Sequence, residues 1–88
     1  MHAIWKFKLD ICDRQSIALP KGAKILCVQT QKETPCIWAI VSNTKDGGKQ
    51  YHSFAIYGTG HEHEAIGGTY IGTFQLQEGM FVYHVFKF

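Results

Sequence analysis

Tyr57-Gly58-Thr59-Gly60-His61 is the stretch of this chain best equipped for chemistry. Glycines two apart can take positive φ and turn successive N–H groups inward, a concavity that suits an anion. Thr59 adds a hydroxyl, His61 a ring donor, and Tyr57 a face on which a base could stack. Arg14 and Lys21, near the ends of neighbouring strands, are the expected phosphate partners. The stretch lacks the third glycine and strand–helix setting of a dinucleotide turn, and the Lys-Ser/Thr of a P-loop. Its plain alternative is a glycine-rich turn after a strand.

The remaining titratable residues give weaker patterns. His61 and His63 are spaced so that both rings point the same way in an extended segment, as two metal ligands would. His2, His52 or His84 could add a third ligand, but no spaced Cys or carboxylate set completes a zinc signature. The pair therefore reads as solvated loop histidines, and no metal is expected. His84, between Val82 and Phe86, and His52, on a face with Phe54 and Ile56, read as core or interface histidines bonded to backbone. Asp10, Asp13 and Arg14 read as a turn cap, with a divalent-ion site as the alternative. Trp5, Trp38, Tyr51, Tyr57, Tyr70 and Tyr83 could stack on bases, although their strand positions favour packing. No Ser-His-Asp or Cys-His pairing emerges. The expectation is a protein that is not an enzyme, with no catalytic residue and no cofactor.

The elements that must position these residues are all strands. Ala3, Trp5, Phe7 and Leu9 alternate with Lys6 and Lys8, the pattern of a half-buried strand. Gln15 to Leu19 follows, ended by a tight turn at Pro20-Lys21-Gly22. Lys24 to Gln31 has Leu26, Val28 and Thr30 on one face. Cys36 to Ser42 is apolar throughout, as a central strand with both faces covered would be. Residues 43–49 read as a polar hairpin connection containing Asp-Gly and Gly-Gly. Tyr51 to Tyr57, Thr69 to Leu76 and Met80 to Phe88 complete the set. No segment has a sustained 3.6-residue period, although single helical turns fit near Asp10–Gln15 or Glu62–Ile66. The expected fold is all-β, one domain over residues 1–88, a small antiparallel barrel or sandwich of six to seven short strands. The likeness of Trp5-Lys6-Phe7-Lys8 to Val85-Phe86-Lys87-Phe88 suggests that the two termini pair.

The last strand is apolar on both faces: Met80, Val82, His84, Phe86 and Phe88 on one, Phe81, Tyr83, Val85 and Lys87 on the other. A small chain has few layers with which to cover a second face, so either the sheet closes around this strand or a second subunit covers it. A homo-oligomer is expected. A chain of 88 residues buries roughly 60–65% of its extended surface, which permits one modest core. Its aromatic content of 14% helps fill that core. A net charge of +2 and a single arginine disfavour a nucleic-acid reader. No apolar run approaches the roughly 20 residues of a membrane span. Three unpaired cysteines and no leader pattern point to reduced thiols in a cytoplasm.

Met1-His2-Ala3-Ile4-Trp5-Lys6-Phe7, Leu19-Pro20-Lys21-Gly22-Ala23-Lys24-Ile25-Leu26, Ile37-Trp38-Ala39, Ile56-Tyr57-Gly58-Thr59-Gly60-His61, Tyr70-Ile71-Gly72-Thr73-Phe74 and Tyr83-His84-Val85-Phe86 together resemble a family of small uncharacterised proteins of tailed bacteriophages and bacteria. The resemblance spans nearly the whole chain. It implies a phage or prophage accessory protein and brings no assigned chemistry, so no functional residue is carried over from it.

Three functions are then weighed. The first is a non-enzymatic phage accessory that binds a small nucleotide-type ligand at subunit interfaces and so sequesters a host immune signal. The second is a protein–protein module, either an inhibitor of a host protein or a minor structural accessory, whose apolar patch marks the partner surface. The third, ranked last, is a metal-dependent hydrolase using His61 and His63, for which no nucleophile, base and charge stabiliser come together.

Overall fold

Each of the alternating or doubly apolar runs forms a strand. The computed structural model describes residues 1–42 and 47–88, and the described residues form β1 (His2–Lys8), β2 (Arg14–Pro20), β3 (Lys24–Gln31), β4 (Thr34–Ser42), β5 (Lys49–Gly58), β6 (Thr69–Leu76) and β7 (Phe81–Lys87). They make two antiparallel sheets, one ordered β1-β4-β3 and the other β2-β5-β7-β6. The architecture is a sandwich and does not close into a barrel. Neither Asp10–Gln15 nor Glu62–Ile66 forms a helix. Among the described residues no helix is long and apolar enough to cross a membrane.

The register decides which side chains meet. In the three-stranded sheet, Phe7 and Val28 flank Ile37, and Trp5 and Ile25 flank Ala39, all on the inner face. In the four-stranded sheet Phe54, Ile56, Phe74 and Val85 point inward against them. Leu9, Val28, Ile37, Phe54, Ile56, Phe74 and Val85 form the core. Burying each large side chain of this kind contributes about 1.5–3 kcal/mol.

The two-sided apolar pattern of β7 has its reason here. β7 lies inside its sheet, between β5 and β6. Its inner face supplies Tyr83 and Val85 to the core. Its outer face carries His84 and Phe86 into an aromatic cluster described below.

Three expectations fail. The terminal strands do not pair: β1 bonds to β4, whereas β7 bonds to β5 and β6 in the other sheet. Residues 43–49 do not join a hairpin, because β4 and β5 belong to different sheets; residues 43–46 lie outside the described residues. Leu26 does not share the inner face with Val28. A bulge between Ile25 and Cys27 shifts the register, so Ile25 packs on the core and Leu26 turns outward. A second bulge, between Tyr70 and Gly72, lets β6 run close to β3. A Cβ on Gly72 would stand 2.9 Å from Val28 Cγ1, so the approach of the two sheets requires glycine there.

The two tight turns at one end of the sandwich are joined. Lys32 and Glu33 connect β3 to β4 with φ of 49° and 66°, and Gln77 and Glu78 lead from β6 towards β7 with φ of 51° and 56°. The Glu33 carboxylate accepts a hydrogen bond from the Gln77 backbone N–H at 2.5 Å, tying the first turn to the second.

Candidate functional site

The Tyr57–His61 segment is a turn built by its glycines. β5 ends at Gly58, and His61 N–H closes the turn onto Gly58 C=O at 3.2 Å. Gly60 supplies the positive φ of +85° that the third position of such a turn demands. Gly58 matters for space instead. A Cβ there would lie 2.7 Å from the His61 ring, so the imidazole rests directly on bare backbone. Thr59 is anchored by its backbone N–H to Val82 C=O at 3.0 Å.

This anchoring carries the Thr59 hydroxyl to His84. Thr59 Oγ1 lies 2.6 Å from His84 Nε2, and it donates its proton to Val82 C=O at 3.3 Å. In the Nε2–H tautomer of His84 the ring is then the donor to Thr59. On the other side Nδ1 lies 2.9 Å from Thr73 Oγ1, and Thr73 Oγ1 lies 2.5 Å from the Tyr70 hydroxyl. A neutral ring that donates from Nε2 must accept at Nδ1. In that tautomer the hydrogen bonds run one way: Tyr70 O–H to Thr73, Thr73 O–H to His84, His84 N–H to Thr59, and Thr59 O–H to Val82 C=O. The expectation of a backbone-bonded His84 is corrected here, because its partners are two threonine hydroxyls. His52 lies on the inner face with Phe54 and Ile56, as expected, but the expected hydrogen bond is missing: its Nε2 is buried without a partner. Burial, and then the charge of Lys87, push its pKa below the usual histidine value.

Around this chain the outer sheet face is aromatic. Phe86 meets Tyr57 edge-on at 5.6 Å and Tyr70 at 5.5 Å, and the His63 ring stands edge-on to Tyr57 at 4.6 Å. Tyr57, Tyr70 and Phe86, with Gly58, Thr59, Gly60, His61, Ile66 and His84, line a cavity of about 280 Å³. Tyr70 and Ile66 remain more than half exposed at its rim, at 56% and 55%.

The expected site residues divide into two groups. Tyr57, Gly58, Thr59, Gly60 and His61 all border the cavity. Arg14 shares the outer face in a row with Ala55, Phe86 and Tyr70, and its guanidinium sits 4.0 Å over the Phe88 ring. At a strand spacing of about 4.8 Å, Arg14 is two strands from Phe86, about 10 Å away. Lys21 does not join them. It lies in the turn after β2, at the opposite end of that strand from Arg14, and bonds to Gly48. Tyr70, Thr73, His84, Phe86 and Ile66 are the residues the loop motif missed. The signal for His84 and Phe86 was the apolar outer face of the last strand.

Elsewhere, His61 and His63 lean on Gly58 and Tyr57, and among the described residues no group of three His, Cys, Asp or Glu could hold a metal. The turn at Asp10 is capped by Gln15, not by the acids: Gln15 Nε2 donates to Asp10 C=O at 2.7 Å, and Asp10 N–H donates to Gln15 Oε1 at 3.0 Å. Cys12 is exposed, Cys27 half-buried and Cys36 buried, and all three are free.

Neither a curated protein nor a solved structure matches the chain. A family model does match, over residues 1–88, and the chain therefore belongs to the family described as a domain of unknown function, DUF7352.

Proposed function

We propose that this domain is a non-enzymatic binding protein that takes a nucleotide-type ligand on the outer face of its four-stranded sheet. The observation that carries this reading is the cavity edged by Tyr57, Tyr70 and Phe86 over a fully hydrogen-bonded His84. Aromatic rings presented by adjacent strands suit a flat heteroaromatic base, and stacking on such rings contributes about 1–3 kcal/mol per base. The imidazole has both nitrogens engaged, which suits a fixed wall better than a general base. Arg14, further along the same face, is the proposed contact for a phosphate. In a phage-encoded protein, such a site would serve to sequester a signalling nucleotide of the host.

The test is a thermal-shift panel of nucleoside monophosphates and cyclic dinucleotides. Binding to the folded state alone raises Tm. At least one member should raise it, and Tyr57→Ala or Tyr70→Ala should abolish the rise. A flat panel, or a rise that survives both substitutions, removes the reading.

A protein–protein reading rests on a different surface. β1 is an edge strand; Ile4 and Trp5 on it are 61% and 47% exposed, and Met1 just before it is 94% exposed. Pairing of this edge with a second copy would cover them and give the proposed homo-oligomer. Sedimentation of the wild type and of Ile4→Lys tests it: a dimer that the substitution makes monomeric supports the reading, and a wild-type monomer opposes it.

A further inference from the structure

The outer face of the three-stranded sheet is chemically unlike the aromatic one. On β1, Lys6 and Lys8 project outward in register with Trp38 and Cys36 of β4. β1 ends at Lys8, although Leu9 N–H still bonds to Pro35 C=O of β4 at 2.9 Å, and the Leu9 side chain turns into the core. The outer face is left with small residues, Thr34 and Cys36, as a floor. Lys32, in the β3–β4 turn, stands at the end of it. Lys6, Lys8, Gln31, Lys32, Thr34 and Cys36 line a groove of about 430 Å³.

The acid next to Lys32 is directed elsewhere. Glu33 bonds to the Gln77 backbone N–H on the other sheet, so its carboxylate does not face the groove. Among the described lining residues there is no carboxylate to neutralise the lysines. Lys6 Nζ, from β1, donates to Gln31 Oε1, from β3, so the two walls of the groove meet over the β4 floor at this end. Lys24 lies further along the same face.

We propose that this groove binds a compact anion carrying several phosphoryl groups, independently of the ligand on the aromatic face. Three ammonium groups in one groove match a multiply charged anion better than a single carboxylate. Ammonium groups are point charges suited to phosphoryl oxygens. Gln31 and Thr34 add neutral donors to the same oxygens. One exposed charge pair contributes little in water, so the anion must span the lysines together. Binding is then strongly salt-dependent.

The experiment is calorimetric titration of the whole domain with inorganic tripolyphosphate at low salt, with orthophosphate and a short single-stranded oligonucleotide as the other arms. Saturable binding of tripolyphosphate is expected, at least tenfold tighter than orthophosphate. Lys6→Gln with Lys8→Gln, and separately Lys32→Gln, should weaken it about tenfold, while Tyr57→Ala and Lys21→Gln leave it unchanged. These lysines are exposed, so the variants should keep the wild-type circular dichroism spectrum. No saturable binding, or equal weakening by Lys21→Gln, overturns the site. An oligonucleotide that binds through these lysines when tripolyphosphate does not also overturns it, in favour of a nucleic-acid backbone. Failure here leaves heteroaromatic-base binding on the opposite face untouched, so the two readings fail separately.

Discussion

At the scale of single residues, hydroxyls and backbone do more than charge. Thr73 links the Tyr70 hydroxyl to His84 Nδ1, so Thr73→Val leaves the ring nitrogen without its donor. A stability loss of about 1 kcal/mol is expected, read by denaturant unfolding. Long-range nitrogen NMR should find the Nε2–H tautomer of His84 in the wild type; an Nδ1–H tautomer contradicts the hydrogen-bond direction argued above. His52 gives a pH dependence. Its folded pKa lies below the unfolded value near 6.5 because of burial and Lys87. The unfolded chain therefore takes up the proton first. The stability present above pH 6.5 declines as pH falls from 6.5 through the lowered folded pKa, and is level below it. His52→Phe should flatten that portion of a Tm-against-pH curve. The sequence displayed the glycine turn because glycines announce positive φ by their type. It did not display the partners of His84, because Thr59 and Thr73, 25 and 11 residues away from it, meet it only through sheet register.

At the scale of elements, close approach and turn chemistry decide stability. Gly72 faces Val28 with no room for a Cβ, so Gly72→Ala should cost about 1–3 kcal/mol by forcing β3 and β6 apart. Glu33→Ala removes the bond that ties two turns together and should cost about 1 kcal/mol. Both are checked by chemical denaturation. Every strand was readable from alternation or from a short apolar run, since side chains on a strand repeat every second residue. Pairing was not. The similar patterns of the first and last strands reflect a similar need for one buried face, which β1 meets against β4 and β7 meets between β5 and β6. The bulge at Ile25/Cys27 was equally hidden, because Leu26 fits the alternation as well as Ile25 does and only the packed core selects between them.

At the scale of the whole molecule, two outer faces have separated their chemistry. The four-stranded sheet presents rings around a hydrogen-bonded imidazole, and the three-stranded sheet presents lysines around a floor of small residues. That division was invisible in a net charge of +2, because a sum over the chain does not say which face each lysine occupies. The central claim is that the aromatic face holds a heteroaromatic ring. The direct measurement is a two-dimensional proton–nitrogen NMR titration with adenosine, which carries a base and no phosphate and so does not engage the lysine groove. The account predicts saturable shifts at Tyr57 to His61, Tyr70, Thr73, His84 and Phe86. A spectrum that does not change, or shifts confined to β1, β3 and β4, would contradict it.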